Sequence, residues 1–312
     1  MSKILAHLSS FFLFSVLFLF LGCSSKIPVS WKARVLNPQV PAQTLIYDEY
    51  GDRSNPTLLF LHGFGENRYT WRFLVPKLAQ KYHLLLLDLK GFGDSPKSRD
   101  GFYSAYDQAY LVNNFIKKKN LKNITLVGRS FGGGVALILA LMQEDALIKK
   151  SINKMILINS MIYKQNLPSM MEVLNKPIIG CLGIYLLDNR YIVKEGYRYG
   201  FFNDKLIPKE SIDYASAYLS FPNAKYAYLE TVHQLVPEDL DVVQKRYKEI
   251  TLPTLILWGK EDVAISVKKA YRLNRELPHS QIKIFKKAGH LPQEEVPKLV
   301  NKAIEKFMEE SQ

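Results

Sequence analysis

Short runs of apolar residues alternate along the chain with longer segments in which apolar residues recur every three or four positions. The short runs, several of them almost continuously apolar, are typical of strands in a parallel sheet that is covered on both faces. The longer segments predict amphipathic helices, for example over residues 104–119 and 295–308. This alternation predicts a doubly wound α/β fold with a mostly parallel sheet. The predicted strands lie in TLIYDEYGD (44–52), PTLLFLHG (56–63), YHLLLLD (82–88), NITLVG (123–128), KMILINS (154–160), PTLILWG (253–259) and QIKIFKKAGH (281–290).

The alternation fails between Met161 and about residue 249. This segment has no clear strand, but it contains five prolines and ten of the 18 tyrosines. A structureless loop of that length is uncommon in a compact domain, so we expect an inserted, mainly helical cap over residues 161–249, with the body formed by residues 44–160 and 250–312. The cap leaves the sheet at a strand's carboxyl end, where ligands bind in α/β folds. This position favours a lid with an aromatic pocket over a flap that only stabilises the body.

The first 22 residues differ from the rest. Lys3 precedes an apolar run over 11–22, which is short for a spanning helix and suits the apolar region of a secretion signal. The sequence FLGCSS (20–25) resembles the lipobox of bacterial lipoproteins, although Phe20 stands where Leu is usual. The resemblance implies a signal peptide over 1–22, lipidation such as palmitate on Cys23, and a lipid-anchored protein of the bacterial envelope, at the outer membrane or the periplasmic face of the inner membrane. A short uncleaved membrane anchor is the alternative.

Composition constrains the partners. Residues 23–43, with three prolines, predict a tether, and without Cys23 as a partner Cys181 is predicted to be a small buried apolar residue. The net charge is +13, which suits a surface that faces anionic lipid headgroups or an anionic substrate. Nucleic acid is not an expected partner, because the lysines are scattered and form no aromatic–basic stripe. The oligomeric state is left open.

The candidate nucleophile is Ser130, in LVGRSFGGG (126–134). A G-x-S-x-G match alone is a weak signal, but this one lies between a predicted strand and a predicted helix, which is the context of a nucleophile elbow. Gly128 and Gly132 would let the strand and the helix approach closely. Ser130 would then project from the carboxyl edge of the sheet.

A serine hydroxyl needs a base, and the base needs a carboxylate that orients it. Of the six histidines, only His290 follows a late strand at a glycine-marked turn, and Asp262 lies just past another strand end. We expect the backbone N–H groups of Phe64 and Phe131 to form the oxyanion hole. His62, before Phe64, is expected to brace the loop.

These motifs together resemble the α/β-hydrolase superfamily from about Tyr47 to Phe307. HGFG, LLDLKGFGDSPK, LVGRSFGGGVAL, WGKEDV and AGHLPQEEVP occur in the family's order, as do serine, aspartate and histidine. The resemblance implies Ser130 as nucleophile, His290 as base, Asp262 as acid, no cofactor or metal, and a structural turn at Asp94 and Ser95. Arg129 departs from the family pattern: it could form a structural ion pair or recognise a substrate anion.

Three functions remain open. The aromatic cap and the expected membrane tether favour a serine esterase or lipase that acts on amphipathic acyl esters, similar to monoacylglycerol lipases. The motif and cap also resemble serine-dependent C–C hydrolases of ring-fission products and cofactor-free haloperoxidases. A lipoprotein that only binds or scaffolds is the third. Ser130 disfavours dehalogenase and epoxide hydrolase chemistry, because those relatives carry aspartate at the elbow.

Overall fold

The structure is a computed structural model that describes residues 39–164 and 167–310. The expected signal peptide, Cys23 and most of the tether lie outside these residues. Within the described part of the chain, no helix is both long enough and apolar enough to cross a bilayer.

Seven strands of the described chain form one sheet in the order β1-β3-β2-β4-β5-β6-β7. β1 pairs antiparallel with β3, and every other neighbouring pair is parallel. The predicted α/β fold with a mostly parallel sheet is therefore confirmed. The strands are β1 (Tyr47–Tyr50), β2 (Thr57–Leu61), β3 (His83–Leu87), β4 (Ile124–Arg129), β5 (Ile152–Ile158), β6 (Thr254–Gly259) and β7 (Ser280–Phe285).

Helices connect the strands and cover the sheet. The body contains α1 (Val75–Leu78), α2 (Ala105–Lys118), α3 (Phe131–Glu144), α10 (Lys268–Glu276), α11 (Pro292–Glu295) and α12 (Pro297–Glu310). Between β5 and β6 the chain forms α4 (Ser169–Leu174), α5 (Pro177–Leu186), α6 (Asn189–Gly200), α7 (Lys209–Leu219), α8 (Ala224–His233) and α9 (Leu240–Val243). We call residues 161–249 the cap.

The core lies on both faces of the sheet. Because side chains alternate along a strand, Leu59 and Leu61 of β2 join a cluster with α2 and α3, whereas Leu58 and Phe60 join a cluster with Trp71 and α12. Strands buried on both faces explain the nearly continuous apolar runs in the sequence. The sheet is a rigid support whose parallel strands all present their carboxyl ends at one edge.

Two local expectations differ from the structure. The helix expected over 295–308 is interrupted at Val296, because Pro297 disfavours helical backbone in the residue before it. The prediction that Cys181 is buried was wrong: its exposure is intermediate. Cys181 lies on α5 between a buried side and a side that nothing in the described chain covers.

Polar contacts attach the cap to the body. The Tyr218 hydroxyl donates to Asp94 over 3.1 Å, and Arg72 donates to the Ser211 hydroxyl over 2.6 Å. Asp94 belongs to the turn expected to be structural, where the buried Ser95 hydroxyl donates to the Asp88 carbonyl over 2.7 Å. The turn at Asp94 and Ser95 therefore supports both the loop after β3, in which it lies, and helix α7 of the cap.

Candidate active site

Ser130 lies at a sharp turn between β4 and α3. Its backbone has φ 48° and ψ −117°, a conformation that a residue with a side chain rarely adopts. The amide of Ser130 donates to the Ile158 carbonyl over 3.0 Å, and its carbonyl accepts from Met161 over 2.9 Å. The neighbouring strand thus holds the strained turn in place.

The glycines around Ser130 are required by close packing. A Cβ on Gly128 would lie 2.5 Å from the Gly132 carbonyl oxygen, and a Cβ on Gly132 would lie 2.3 Å from the Leu61 carbonyl oxygen. Neither approach is possible for a real Cβ, since both partners are backbone atoms. The strand and the helix therefore meet as closely as the sequence predicts.

The structure brings together Ser130, His290 and Asp262, which come from three different loops. His290 Nε2 lies 3.0 Å from Ser130 Oγ, and His290 Nδ1 lies 2.8 Å from Asp262 Oδ2. Since an ionised carboxylate only accepts, Nδ1 carries the proton and Nε2 can accept from the serine hydroxyl. All three residues are buried. This is the geometry of a serine nucleophile with its base and orienting acid.

Asp262 is held by four donors. Its Oδ1 accepts from the amides of Ala264 and Ile265, each over 2.8 Å, and Oδ2 also accepts from Asn159 Nδ2 over 2.6 Å. Sequence reasoning missed Asn159. It follows β5 directly at the same edge as the other site residues, which is the one signal that could have identified it.

Burial acts in opposite directions on the pKa values of Asp262 and His290. Burial alone would raise the pKa of Asp262, but His290 and the hydrogen bonds from Asn159 and Ile265 outweigh it and lower that pKa. Burial is the largest cause that lowers the pKa of His290; Arg129 lowers it further, and Asp262 opposes both. The site therefore holds an ionised aspartate beside a neutral histidine at neutral pH.

The predicted oxyanion donors come from two segments: Phe131 directly follows Ser130, and Phe64 lines the same cavity as Ser130. The amide of Phe131 is at the N-terminus of α3, where the helix dipole is positive, and Phe64 follows β2. Within the described residues, neither amide donates a hydrogen bond to another group. The Phe64 ring packs 4.3 Å from the Tyr228 ring of the cap, centroid to centroid. Both amides are thus available to an oxyanion.

His62 is fully buried and is used by the loop. Its Nδ1 donates to the Gly63 carbonyl over 2.8 Å, and its Nε2 accepts from the Leu89 amide over 3.0 Å. Burial lowers its pKa to about 4, so the ring is neutral at neutral pH. With both nitrogens occupied, His62 braces the loop that carries Phe64.

Arg129 forms the ion pair that was one of its two possible roles. Its guanidinium lies 2.9 Å from Glu66 Oε1 and also donates to the His290 carbonyl over 2.8 Å. Glu66 in turn accepts from the Gly63 amide over 2.8 Å. One buried cation therefore connects the loop after β2 with the loop that carries the histidine.

The histidine loop also contacts the cap. The His290 amide donates to the Gly200 carbonyl over 2.6 Å, and Glu295 accepts from the amides of both Gly289 and Phe202. A Cβ on Gly289 would lie 2.5 Å from the Gly200 carbonyl oxygen. The end of α6 is thus packed directly on the candidate base.

A cavity of about 450 Å³ lies between the cap and Ser130. Its wall includes Ser130 and His290, and α4 and α6 contribute both apolar side chains, such as Met170 and Ile192, and the charged side chains of Glu195 and Arg198. The size suits a small-molecule ligand. Among the described residues, no group of three or more His, Cys, Asp or Glu side chains could hold a metal ion.

Comparison with known proteins places this geometry in a wider group. The family model described as alpha/beta hydrolase fold matches residues 56–180. An uncharacterized hydrolase, YugF of Bacillus subtilis, is 29% identical over 86% of this chain and 96% of its own. Lipase 1 of Psychrobacter immobilis is 25% identical over 80% of this chain and 75% of its own.

A solved structure shares the fold at lower identity. The thermophilic esterase from Thermogutta terrifontis superposes with a TM-score of 0.69 at 23% identity, covering 85% of this chain and 93% of its own. The sheet order, the turn at Ser130 and the matched family model lead to one conclusion. The chain has the α/β-hydrolase fold.

Proposed function

We propose that this protein is a serine hydrolase that cleaves carboxylic esters of amphipathic, lipid-like acyl groups, as monoacylglycerol lipases do. The observation that carries the proposal is the connected chain from Ser130 Oγ through His290 to Asp262, with contacts of 3.0 and 2.8 Å. The two amides of Phe64 and Phe131 complete the groups that acyl transfer needs.

The reaction follows from the geometry. Ser130 Oγ attacks the ester carbonyl carbon and its proton passes to His290 Nε2. The amides of Phe64 and Phe131 stabilise the oxyanion, and Asp262 stabilises the imidazolium. His290 then protonates the leaving alcohol as the carbon–oxygen bond breaks. In the second half, His290 takes a proton from water, which hydrolyses the acyl-serine and restores Ser130.

The cavity supports an apolar acyl group as substrate. Met170 and Met171 of α4 and Ile192 and Val193 of α6 line it, and such side chains bind an alkyl chain by removing it from water. The matches to a lipase and an esterase agree with ester substrates. The acyl chain length is the quantity that this lining would set.

Location is part of the proposal. The lipobox-like FLGCSS supports a lipid anchor at Cys23, in the bacterial envelope. Replacing Cys23 by Ser is expected to abolish incorporation of labelled palmitate in cells, because the thiol is the attachment atom. Intact mass and membrane fractionation check this result. A wild-type protein that carries no label and retains residues 1–22 would instead support the uncleaved anchor.

The direct test is a turnover screen on the purified protein. p-Nitrophenyl esters and monoacylglycerols of increasing chain length are compared, and a fluorophosphonate probe is used to label the nucleophile. We expect turnover that rises with acyl length and a single labelled peptide containing Ser130. No turnover and no labelling would overturn the proposal. Cleavage of a ring-fission diketone with little ester turnover would point to the C–C hydrolase instead.

A further inference from the structure

One side of α5 exposes a continuous row of large apolar residues. Their spacing of three and four positions places them on the same face of the helix. The opposite side packs tightly: Ile184 is buried, and a Cβ on Gly180 would lie 2.0 Å from the Leu174 carbonyl oxygen. The exposed residues, each between 51% and 79% exposed, are Ile178, Ile179, Leu182, Tyr185 and Leu186. We call these five residues the α5 outer face.

The charges near the α5 outer face lie at its margin. No charged residue occurs between Pro177 and Leu187. Lys176 directly precedes the helix, Asp188 follows Leu187 at its other end, and the Lys225 ammonium lies 5.8 Å from the centre of the Tyr185 ring. An apolar centre with basic residues at the margin is typical of surfaces that enter the headgroup region of anionic bilayers. The net charge of +13 acts in the same direction.

The composition of this face suits lipid better than a protein partner. Four of its five residues are aliphatic, whereas the binding energy of protein interfaces is concentrated in Trp, Tyr and Arg. Acyl chains require no complementary shape, so a convex helix face without a groove can be buried in them. Patches of this kind on a monomer mark a site of interaction.

The expected anchor keeps the body close to a bilayer. Cys23 and the first described residue, Gln39, are separated by 16 positions, which span at most about 55 Å when fully extended. A compact body of the size described here is roughly 50 Å across, so the two lengths are comparable. A surface on the cap can therefore reach the membrane to which Cys23 would be attached.

We propose that the α5 outer face inserts into the interfacial region of an anionic bilayer. The elements on either side of it, α4 and α6, line the cavity above Ser130. Insertion would place the cavity beside the acyl chains, so a lipid ester could enter without crossing water. The choice of lipid ester rests on the proposed function, whereas the insertion itself does not.

Fluorescence quenching tests the insertion without requiring turnover. The full-length lipidated protein carrying Leu182→Trp is reconstituted into vesicles of phosphatidylethanolamine and phosphatidylglycerol with brominated acyl chains. Leu299→Trp, on α12, is the matched control, because Leu299 is 51% exposed and Leu182 is 56% exposed. We expect bromine to remove most of the emission added at position 182 and none of that added at position 299. Equal quenching at both positions would overturn the proposal.

A charged residue in the α5 outer face tests whether insertion into the bilayer affects ester turnover. Leu182→Glu is expected to lower turnover of a vesicle-borne lipid ester about tenfold and to leave a soluble short-chain ester unaffected. Leu182 does not line the cavity, so the chemistry stays intact. Leu299→Glu should change neither rate. If Leu182→Trp is quenched but no ester is hydrolysed, only the proposed function fails.

A second copy of the chain is the competing occupant. In that case Leu182→Trp would be shielded from brominated lipid, and sedimentation of the detergent-solubilised protein would show a dimer. Leu182→Glu would then convert that dimer to a monomer. This combination of results would reject the membrane and assign the α5 outer face to self-association.

Discussion

Replacing Ser130 by Ala is expected to lower kcat/KM for esters by roughly 10⁴-fold or more, because no other group at the site can form the acyl-enzyme. The side chain loses only its oxygen, and the hydrogen bonds of the Ser130 backbone to Ile158 and Met161 remain. The variant should therefore fold and bind substrate. Initial rates with a fluorogenic ester, together with loss of fluorophosphonate labelling, measure the effect.

Ser95→Ala is the matched control for this variant. Ser95 is also buried, but its hydroxyl bonds the Asp88 carbonyl and the Ile46 amide, away from the triad. We expect Ser95→Ala to lower the thermal midpoint while kcat/KM stays unchanged. Turnover retained by Ser130→Ala, or lost equally in both variants, would contradict the assignment of Ser130 as nucleophile.

Replacing Arg129 by Met is expected to reduce the free energy of unfolding by about 3–5 kcal/mol, because it leaves the Glu66 carboxylate buried without its cation. Burial already raises the pKa of Glu66; Arg129 is the largest influence that opposes this effect, and the hydrogen bond from the Gly63 amide adds to it. The double variant Arg129→Met/Glu66→Gln should recover much of the loss, since Gln can still accept from the Gly63 amide. Denaturant unfolding of the wild type, single and double variants gives the comparison.

The single variant Arg129→Met should also change the pH dependence of turnover. Turnover requires neutral His290, so activity falls as the pH drops through the pKa of that ring, which lies below its ordinary value of 6.5 in the wild type. Arg129 contributes to this lowering, and its removal should move the acidic limb of kcat/KM to higher pH. An unchanged limb with reduced stability would mean that Arg129 acts only through packing.

The local pattern was enough to predict the framework and to select the three residues that the structure brings together. Apolar runs identified the strands, and polar residues just after them identified Ser130, Asp262 and His290, because parallel strands end at a common edge. The partners around them are not local. Glu66 and Arg129 are 63 positions apart, and only the pairing of β2 with β4, which aligns Leu61 with Gly128, brings their loops together.

The α5 helix shows a second limit of prediction from the sequence. A helix rich in apolar residues has the same sequence whether it is covered on all sides or on one, so Cys181 was expected to be buried. Only the packing of Gly180 and Ile184 reveals which side is covered. Asn159 was missed for a related reason. The sequence alone does not show which side chain a polar residue at the end of a strand will contact.

The contact between the His290 amide and the Gly200 carbonyl has a practical consequence for protein engineering. Gly200 and Phe202 belong structurally to the body, because they share hydrogen bonds with the loop that carries His290. A library meant to change acyl selectivity should leave residues 200–202 untouched and vary α4 and the first half of α6 instead. A cap grafted from another hydrolase would need a backbone carbonyl at position 200 that accepts from the His290 amide, and the body would have to keep Gly289, since a Cβ there would lie 2.5 Å from that carbonyl oxygen.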